Sequence, residues 1–533
     1  MRDYHAVYRE FSASALEREV LSGSLEQSVN ACVECCDRWA GEGRVALEWM
    51  GRDFVRRSVS YAELQAGAAR FASLLAARGI GAGDVVAGLL PRIPELLVVM
   101  LGTWRAGAVY QPLFTAFGPK AIETRVTGDG GSAAKLIVTD TANKAKLADV
   151  PGCPPALVVG EDFAAALSGQ RPEFAPVLRR GGDPFVLLYT SGTTGNPKGV
   201  AYPLALLLAV AMYMREGLDL TPADRFWNLA DPGWAYGMLY AAVGPLLLGH
   251  TTTFSEGPFT VEAALRIVSQ LEITNLAGAP TAYRLMMAAG DEAMAPIAGR
   301  LRVASSAGEP LNPEVARWAR RVLRCPLKDQ YGQTENAMMI ANHHALAHEE
   351  KEGSAGLPLP GFALEVLGED LQPAPRGTPG ILAVDRQRSP LSTFDGYWKA
   401  ATPSLTERWY LTGDTMLRDD SGHFFFVGRS DDIITSAGYR IGPFDVESAL
   451  MEHAAVAEVA VVGKPDPERT EIVKAFVVLR QGHAPSDALA DELKAHVRTR
   501  LSAHAFPREV AFVPELPKTP SGKVQRFVLR ARG

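Results

Sequence analysis

Cysteine is scarce in this chain and badly spaced for cross-linking. The five are Cys32, Cys35, Cys36, Cys153 and Cys325. An odd count with three crowded together excludes the paired framework of a small secreted domain. Cys32-x-x-Cys35 has no second pair at ligand spacing, so it reads as reduced thiols on a helix surface of a cytoplasmic protein. Long apolar runs are lacking too. The most apolar, 203–214, stops at Arg215, short of the roughly 20 residues a membrane span needs. The N-terminal stretch carries Asp3, Glu10, Glu17 and Glu19 around no apolar centre, which excludes a secretory signal and disfavours a transit peptide. Nor is there an excess of positive charge. The formal net charge is −6, so nothing attracts nucleic acid or anionic membrane in general, and an anionic substrate must be held by local basic groups. His343, His344, His348, Glu349 and Glu350 lie close together. Their spacing matches no helical metal motif, and the stretch reads as a solvated segment.

What is present is a globular composition, 47% hydrophobic and 21% charged, over 533 residues. That length exceeds one ordinary core and implies at least two domains. Helical periodicity follows Ser60 over 61–78, with Ser60 as N-cap. The glycine-rich 79–84 turns the chain into a strand at 85–90, rather than opening a dinucleotide-binding helix. A helix at 95–105 and short buried strands at Leu136–Thr139 and 156–159 continue the alternation, which predicts layered α/β architecture.

The densest chemistry follows the apolar strand 184–188. It runs Tyr189-Thr190-Ser191-Gly192-Thr193-Thr194-Gly195-Asn196-Pro197-Lys198-Gly199. Backbone N–H groups of such a loop can turn inward as a nest for phosphate oxygens, with hydroxyls and a lysine as further donors. It is not a Walker loop, because Gly199 stands where Ser or Thr is required. Further along come Asp231-Pro232-Gly233-Trp234-Ala235-Tyr236-Gly237, then Ala307-Gly308-Glu309-Pro310-Leu311 after a short strand, then Asp329-Gln330-Tyr331-Gly332-Gln333-Thr334-Glu335. Tyr410-Leu411-Thr412-Gly413-Asp414 and Phe424-Phe425-Phe426-Val427-Gly428-Arg429 precede a charged linker. The last hundred residues read as a compact α/β unit, with a hairpin around Gly438, a helix from Asp445 as cap to His453, strands at 459–462 and 473–479, and a helix over 486–501 capped by Ser486. Lys518-Thr519-Pro520-Ser521-Gly522-Lys523-Val524-Gln525-Arg526 lies near the end.

These motifs, in this order from 189 to 526, resemble those of the adenylate-forming acyl-CoA synthetases, relatives of luciferases and peptide-synthetase adenylation domains. The likeness is greatest to medium-chain acyl-CoA synthetases, notably over 424–447. The resemblance implies a large layered N-terminal α/β domain (1–430) that binds ATP and acid, and a small mobile α/β C-terminal domain (431–533), swinging about a hinge at Asp431. It implies ATP and coenzyme A as cosubstrates, Mg²⁺ as cofactor and a small carboxylic acid as partner. Thr190, Ser191, Gly192, Thr193, Thr194, Gly195 and Lys198 would hold phosphate. Gly308, Glu309, Pro310, Asp329, Gln330, Tyr331, Gly332 and Gln333 would belong to the ATP/AMP site, the 307–311 turn on its adenine side and Tyr331 against the base. Asp414 and Arg429 would meet the ribose or phosphate. Thr334 would sit by the α-phosphate and carboxylate, Glu335 on magnesium, and Lys523 would serve adenylation. Trp234 would wall the acyl pocket. Acetate-specific relatives commonly have tryptophan at the position of Gly332, so glycine there implies room for a longer, medium-chain or branched acid. Gly438, Tyr439, Arg440 and Arg469 would face CoA, whereas His504-Ala505-Phe506-Pro507-Arg508 departs from the family pattern and receives no role. An aryl-CoA ligase, an adenylation enzyme loading a carrier protein and a nucleotide-binding homologue without catalysis are the rival readings. The identity of the acid and the oligomeric state are open at this point.

Overall fold

A computed structural model describes the chain except residues 191–196, 437–438, 467–468, 502–504, 520–521 and 533, and the side chains at 42 and 440. Two six-stranded sheets dominate it. The first has the order Ala156–Val158, Leu136–Thr139, Val85–Leu89, Val109–Pro112, Pro184–Tyr189, Gly199–Pro203. Its strands are parallel up to Pro184–Tyr189, and only the last pair is antiparallel. Parallel neighbours need long crossovers, which helices such as Tyr61–Ala77 and Pro94–Arg105 supply. The first of these begins as its sequence predicts. Ser60 accepts from the Glu63 backbone while the Glu63 carboxylate accepts from the Ser60 N–H, a capping box.

The second sheet runs Phe226–Asn228, Asn275–Gly278, Val303–Ala307, Leu327–Gln333, Ala337–Ala341, Leu357–Pro358. Parallel pairing again gives way to antiparallel, here at Leu327–Gln333. That strand therefore ends in a tight turn, and Thr334 and Glu335 sit in it. A four-stranded antiparallel sheet, Leu364–Leu367, Gly380–Asp385, Trp409–Arg418, Phe424–Arg429, follows. Beyond it, Ile434–Ser436 and Tyr439–Ile441 pair as the expected hairpin, joined to Val456–Asp466, Thr470–Leu479 and Glu509–Phe512. The helices Pro443–Met451 and Asp487–Arg500 close a separate core containing Ile434, Val446, Leu450, Val473, Leu493 and Val497. The molecule is thus a mixed α/β protein with a large N-terminal part and a smaller C-terminal one.

Three sequence expectations are corrected. Cys32, Cys35 and Cys36 are not on a helix surface but wholly buried, all three as free thiols. Their short helix, Ala31–Cys35, is packed into the main core, where Arg105 reaches both Asp37 at 2.6 Å and the Cys32 sulfur at 3.8 Å. Burial pushes all three thiols well up, so they are inert as nucleophiles. The histidine stretch is not solvated as a whole either. His343 and His344 are buried against the second sheet, and burial holds both imidazoles down at about 3. Finally, Asp445 does not cap its helix. Gly442 is the N-cap, Pro443 takes the first helical position, and the helix stops at Met451. No helix among the described residues is long and apolar enough to cross a membrane.

Candidate active site

The strand Leu327–Gln333 presents different residues to its two faces, as the two-residue period requires. On one face Tyr331 and Gln333 converge on a single carboxylate. Tyr331 Oη and Gln333 Nε2 both donate to Asp414 Oδ2, at 2.5 and 2.6 Å. Arg429, directly opposite Asp414 in the neighbouring strand, donates to Oδ1 at 3.1 Å. Asp414 is 4% exposed. Burial raises its pKa above the usual carboxylate range in spite of Arg429, the two donors and the positive charge of Lys523. Lys523, more than a hundred residues along the chain, thus lies within electrostatic range of Asp414.

The adenine-side turn is pinned in place. Gly308 takes a φ of +95°, which favours glycine. Glu309 accepts from Arg284 at 2.7 Å and from Thr281 at 3.0 Å. After Pro310, the Leu311 N–H donates to Asp329 at 3.2 Å. Burial pushes the Asp329 carboxyl up to about 8, its backbone donors notwithstanding. Gln330 is an exception among the expected ATP/AMP-site residues. Its side chain points into the interior, bonded to Tyr213, Ser305 and the Gly217 carbonyl, so it supports the site from behind.

The turn after the strand is held by two tyrosines that sequence reasoning missed. Tyr202 Oη donates to the Thr334 carbonyl at 2.6 Å, and Tyr397 Oη to Glu335 Oε1 at 2.7 Å. The Lys198 ammonium lies 4.7 Å from the Tyr397 ring centre. Thr190 and Lys198 close the mouth of the phosphate loop, N–H of Thr190 to carbonyl of Lys198 at 2.9 Å. Trp398 N–H donates to the Gly199 carbonyl at 2.7 Å. The segment Gly396-Tyr397-Trp398-Lys399 thus clamps the phosphate loop to the Glu335 turn. Its pairing of glycine with two aromatics, shared with 231–237, was the available signal. Ser191, Gly192, Thr193, Thr194 and Gly195 lie outside the described residues.

Trp234 packs with Phe114 and Phe117, each ring centre 5.4 Å away. Gly233 is needed here because a Cβ would stand 2.7 Å from the Phe114 Cα. Gly332 is a correction. It does not leave an open gap, since a Cβ on it would strike the Ala337 carbonyl and lie 2.6 Å from Met338 Cα and 2.7 Å from Met338 Sδ. The irregular register between Tyr331 and Gly332 draws the partner strand into that space, and Met338 supplies the bulk that glycine lacks.

Around Asp431 the chain is laced with charge. Arg429 Nε stands 3.5 Å from Asp431, Arg530 bonds the Asp431 carbonyl at 3.3 Å and pairs with Asp432, and Arg526 grips Glu447 at 2.8 Å. Lys523 is exposed on a small loop in which Thr519 N–H donates to its carbonyl at 2.7 Å. Of the CoA-facing residues, Gly438 and the Arg440 side chain lie outside the described residues, and Tyr439 is 53% exposed. Arg469 and Arg498 both lie near Arg508. Partial burial and these two like charges hold the Arg508 guanidinium below its ordinary range, while Arg508 stacks 4.3 Å over Phe506. The sequence reading missed this arginine group because its members are distant in the chain.

A glycine-rich loop after a buried strand, one buried carboxylate held by three donors and a distant lysine suit a nucleotide-dependent α/β enzyme. The chain belongs to the AMP-binding enzyme family, whose models match residues 36–398 and, for the C-terminal domain of the same enzymes, 445–523. Acetyl-coenzyme A synthetase of Bacillus subtilis (strain 168) is 36% identical over all of this chain and 95% of its own length. A crystal structure of a Brucella canis acyl-CoA synthetase is 52% identical, with TM-score 0.82, covering 100% of this chain and 99% of that one. An anthranilate CoA ligase in complex with anthranoyl-AMP superposes with TM-score 0.87 at 25% identity, covering 98% and 99% of the two chains.

Proposed function

We propose that the cluster around Asp414 is where a small carboxylic acid, short- to medium-chain or branched, is activated by ATP before transfer to CoA. The enzyme is an AMP-forming acyl-CoA synthetase, an acid–thiol ligase. The acid's carboxylate oxygen attacks the α-phosphorus of ATP and pyrophosphate leaves. The CoA thiol then attacks the acyl carbon, a C–S bond replaces the C–O bond to AMP, and AMP departs. No side chain becomes acylated, so the protein acts by positioning and charge neutralisation.

Asp414 is read as the ribose acceptor, its orientation set by Tyr331, Gln333 and Arg429. Lys198 and Lys523 supply positive charge for phosphate and for the two anions that must approach one another. Glu335 fits magnesium. It is a single carboxylate, oriented by the Tyr397 hydroxyl at 2.7 Å, and Mg²⁺ takes one or two protein carboxylates with phosphate and water as its other ligands. When bound, the ion would neutralise phosphate charge. Arg469, with Arg508 near it, suits the phosphates of CoA. We assign 1–430 and 431–533 to two domains with the hinge at Asp431, since each half-reaction needs a different residue of the small domain at one acyl carbon. Asp431→Pro, which fixes φ, is expected to spare pyrophosphate release in a single turnover and to slow thioester formation from acyl-AMP.

One observation carries the reading: the convergence of Tyr331, Gln333, Arg429 and the charge of Lys523 on a buried Asp414. Pyrophosphate release measured over a panel of acids, with and without CoA, tests it. Acid-dependent release, with CoA required for turnover, is the expected result. Release that needs a carrier protein in place of CoA, or none at all, overturns it.

A further inference from the structure

Arg2 and Glu216 are far apart in the chain and meet at one buried carboxylate. Both oxygens of Glu216 accept from Arg2 Nη2, at 2.6 and 2.7 Å. The Glu216 side chain is 2% exposed and that of Arg2 58%. No other hydrogen bond or ion pair among the described residues reaches this carboxylate. A carboxylate out of water needs a compensating charge, and removing one partner of such a pair is far worse than replacing both. Glu216 therefore depends on Arg2.

The place of Glu216 gives that dependence its consequence. It belongs to the helical turn Tyr213–Gly217, a widened turn closed by the Leu218 N–H on the Tyr213 carbonyl at 3.0 Å. The same turn holds the Gln330 amide at both ends. Tyr213 Oη donates to Oε1, and the Gly217 carbonyl accepts from Nε2 at 3.2 Å. Gln330 precedes Tyr331, whose hydroxyl donates to Asp414 at 2.5 Å. On its other side the turn is tied to the N-terminal strap. The Glu216 and Gly217 carbonyls accept from the Ala345 and His344 N–H groups, both at 3.3 Å. The next residues, Leu346–Ala347, pair in parallel with Arg2–Asp3. Tyr4 and Tyr8 fasten the strap further, donating to the carbonyls of Pro358 and Phe362 at 2.9 and 2.8 Å.

We propose that Arg2 is a positioning residue for nucleotide binding. Its guanidinium fixes Glu216, Glu216 fixes the turn, and the turn fixes Gln330 and with it the Tyr331 hydroxyl on Asp414. Without Arg2 the carboxylate must take a proton or turn out to water, and the second course carries the Tyr213–Gly217 turn with it. Arg2 acts here on Asp414 as part of the ATP site, which rests on the synthetase reading above.

The test is the Kd for ATP, measured by titration calorimetry on the full-length protein without acid or CoA, beside KM and kcat for pyrophosphate release. Arg2→Met should raise the Kd and KM for ATP by about tenfold, the worth of one hydrogen bond at Asp414. The KM for the acid and kcat should stay within about twofold, as expected when only ground-state binding is lost. Arg2→Lys keeps the charge without the guanidinium fork and should cost about threefold. Adding Glu216→Gln to Arg2→Met should bring the Kd back to within about threefold of wild type, because a neutral amide needs no counter-charge. A role in stability alone would lower Tm and leave the Kd unmoved, which overturns the proposal. It is also overturned if the added Glu216→Gln relieves nothing, or if the loss falls equally on ATP and acid. Where Arg2→Met does not fold, Arg2→Lys decides, and an unchanged Kd there counts against the proposal. A wild type that binds ATP but releases no pyrophosphate with any acid fails the synthetase reading, while the Kd series still judges Arg2. A wild type that binds no ATP sinks both.

Discussion

The carboxylate at Asp414 and the ammonium at Lys523 are built in opposite ways. Asp414 is buried, with its oxygens already engaged by Tyr331, Gln333 and Arg429. Lys523 is exposed, and the hydrogen bonds of its loop go through backbone atoms to Thr519. The first arrangement costs desolvation and gives a fixed direction. The second leaves the side chain outside any fixed network, which suits the role proposed for it in only one of the two steps. Preorganisation belongs where a ligand is held throughout, and freedom where a residue must later yield its place.

The largest expected effect comes from the exposed partner. Lys523→Ala should slow pyrophosphate release by about 10²–10³-fold, the worth of one charge aimed at the transition state. Thioester formation from ready-made acyl-AMP should be nearly unaffected. Equal loss in both steps would show that Lys523 is part of the fixed site after all. Asp414→Asn probes the prebuilt partner. It keeps the shape but removes the charge that three donors share, so the KM for ATP should rise by about 10–100-fold with the fold intact by circular dichroism. A smaller rise than at Lys523, falling on binding rather than rate, is the signature of the difference.

Gly332 and Met338 sharpen the contrast within the fixed part. Gly332→Ala should destabilise by about 1–3 kcal/mol in urea unfolding, because the added methyl meets backbone of the adjacent strand. Met338→Ala should instead admit longer acids, seen as a shift of the best chain length in kcat/KM. If Gly332→Ala is neutral, the strands are less closely drawn together than described. The last effect, absent at neutral pH and felt only in acid, concerns His343 and His344. Both are held at about 3 by burial, below their unfolded value near 6.5. The unfolded chain therefore binds protons that the folded chain refuses. Stability is full above pH 6.5 and falls as pH drops towards 3, by about 1.4 kcal/mol per pH unit for each ring. His344→Gln should flatten the Tm-against-pH curve between pH 6 and 4.

Motif by motif, the site was legible where chemistry is concentrated in a short run. Tyr331 and Gln333, Asp414 and Arg429, and the lysine at 523 are all found in this way, and the strand–helix alternation and the caps at Ser60 and Ser486 followed from local periodicity. What escaped was whatever depends on a partner far along the chain. Tyr202 and Tyr397 look like ordinary aromatics until Thr334 and Glu335 are placed against them. Cys32, Cys35 and Cys36 suit a helix surface by composition, yet their helix is covered by Arg105 and its neighbours. Asp445 has the side chain of a cap, but Gly442-Pro443 starts the helix before it.

Glycine at 332 shows the division most clearly. The amino-acid order by itself determined that no side chain stands there, that a strand leads into Thr334 and Glu335, and that a carboxylate and a lysine lie far downstream. Whether the missing side chain leaves a hole depends on the register of Leu327–Gln333 against Ala337–Ala341 and on where Met338 turns. Likewise the orientation of the buried Gln330 amide is decided by one carbonyl, that of Gly217. Local backbone preference and hydrophobic period are short-range and can be read along a chain. Filled space and the direction of a buried hydrogen bond are long-range, and only close packing brings their partners together.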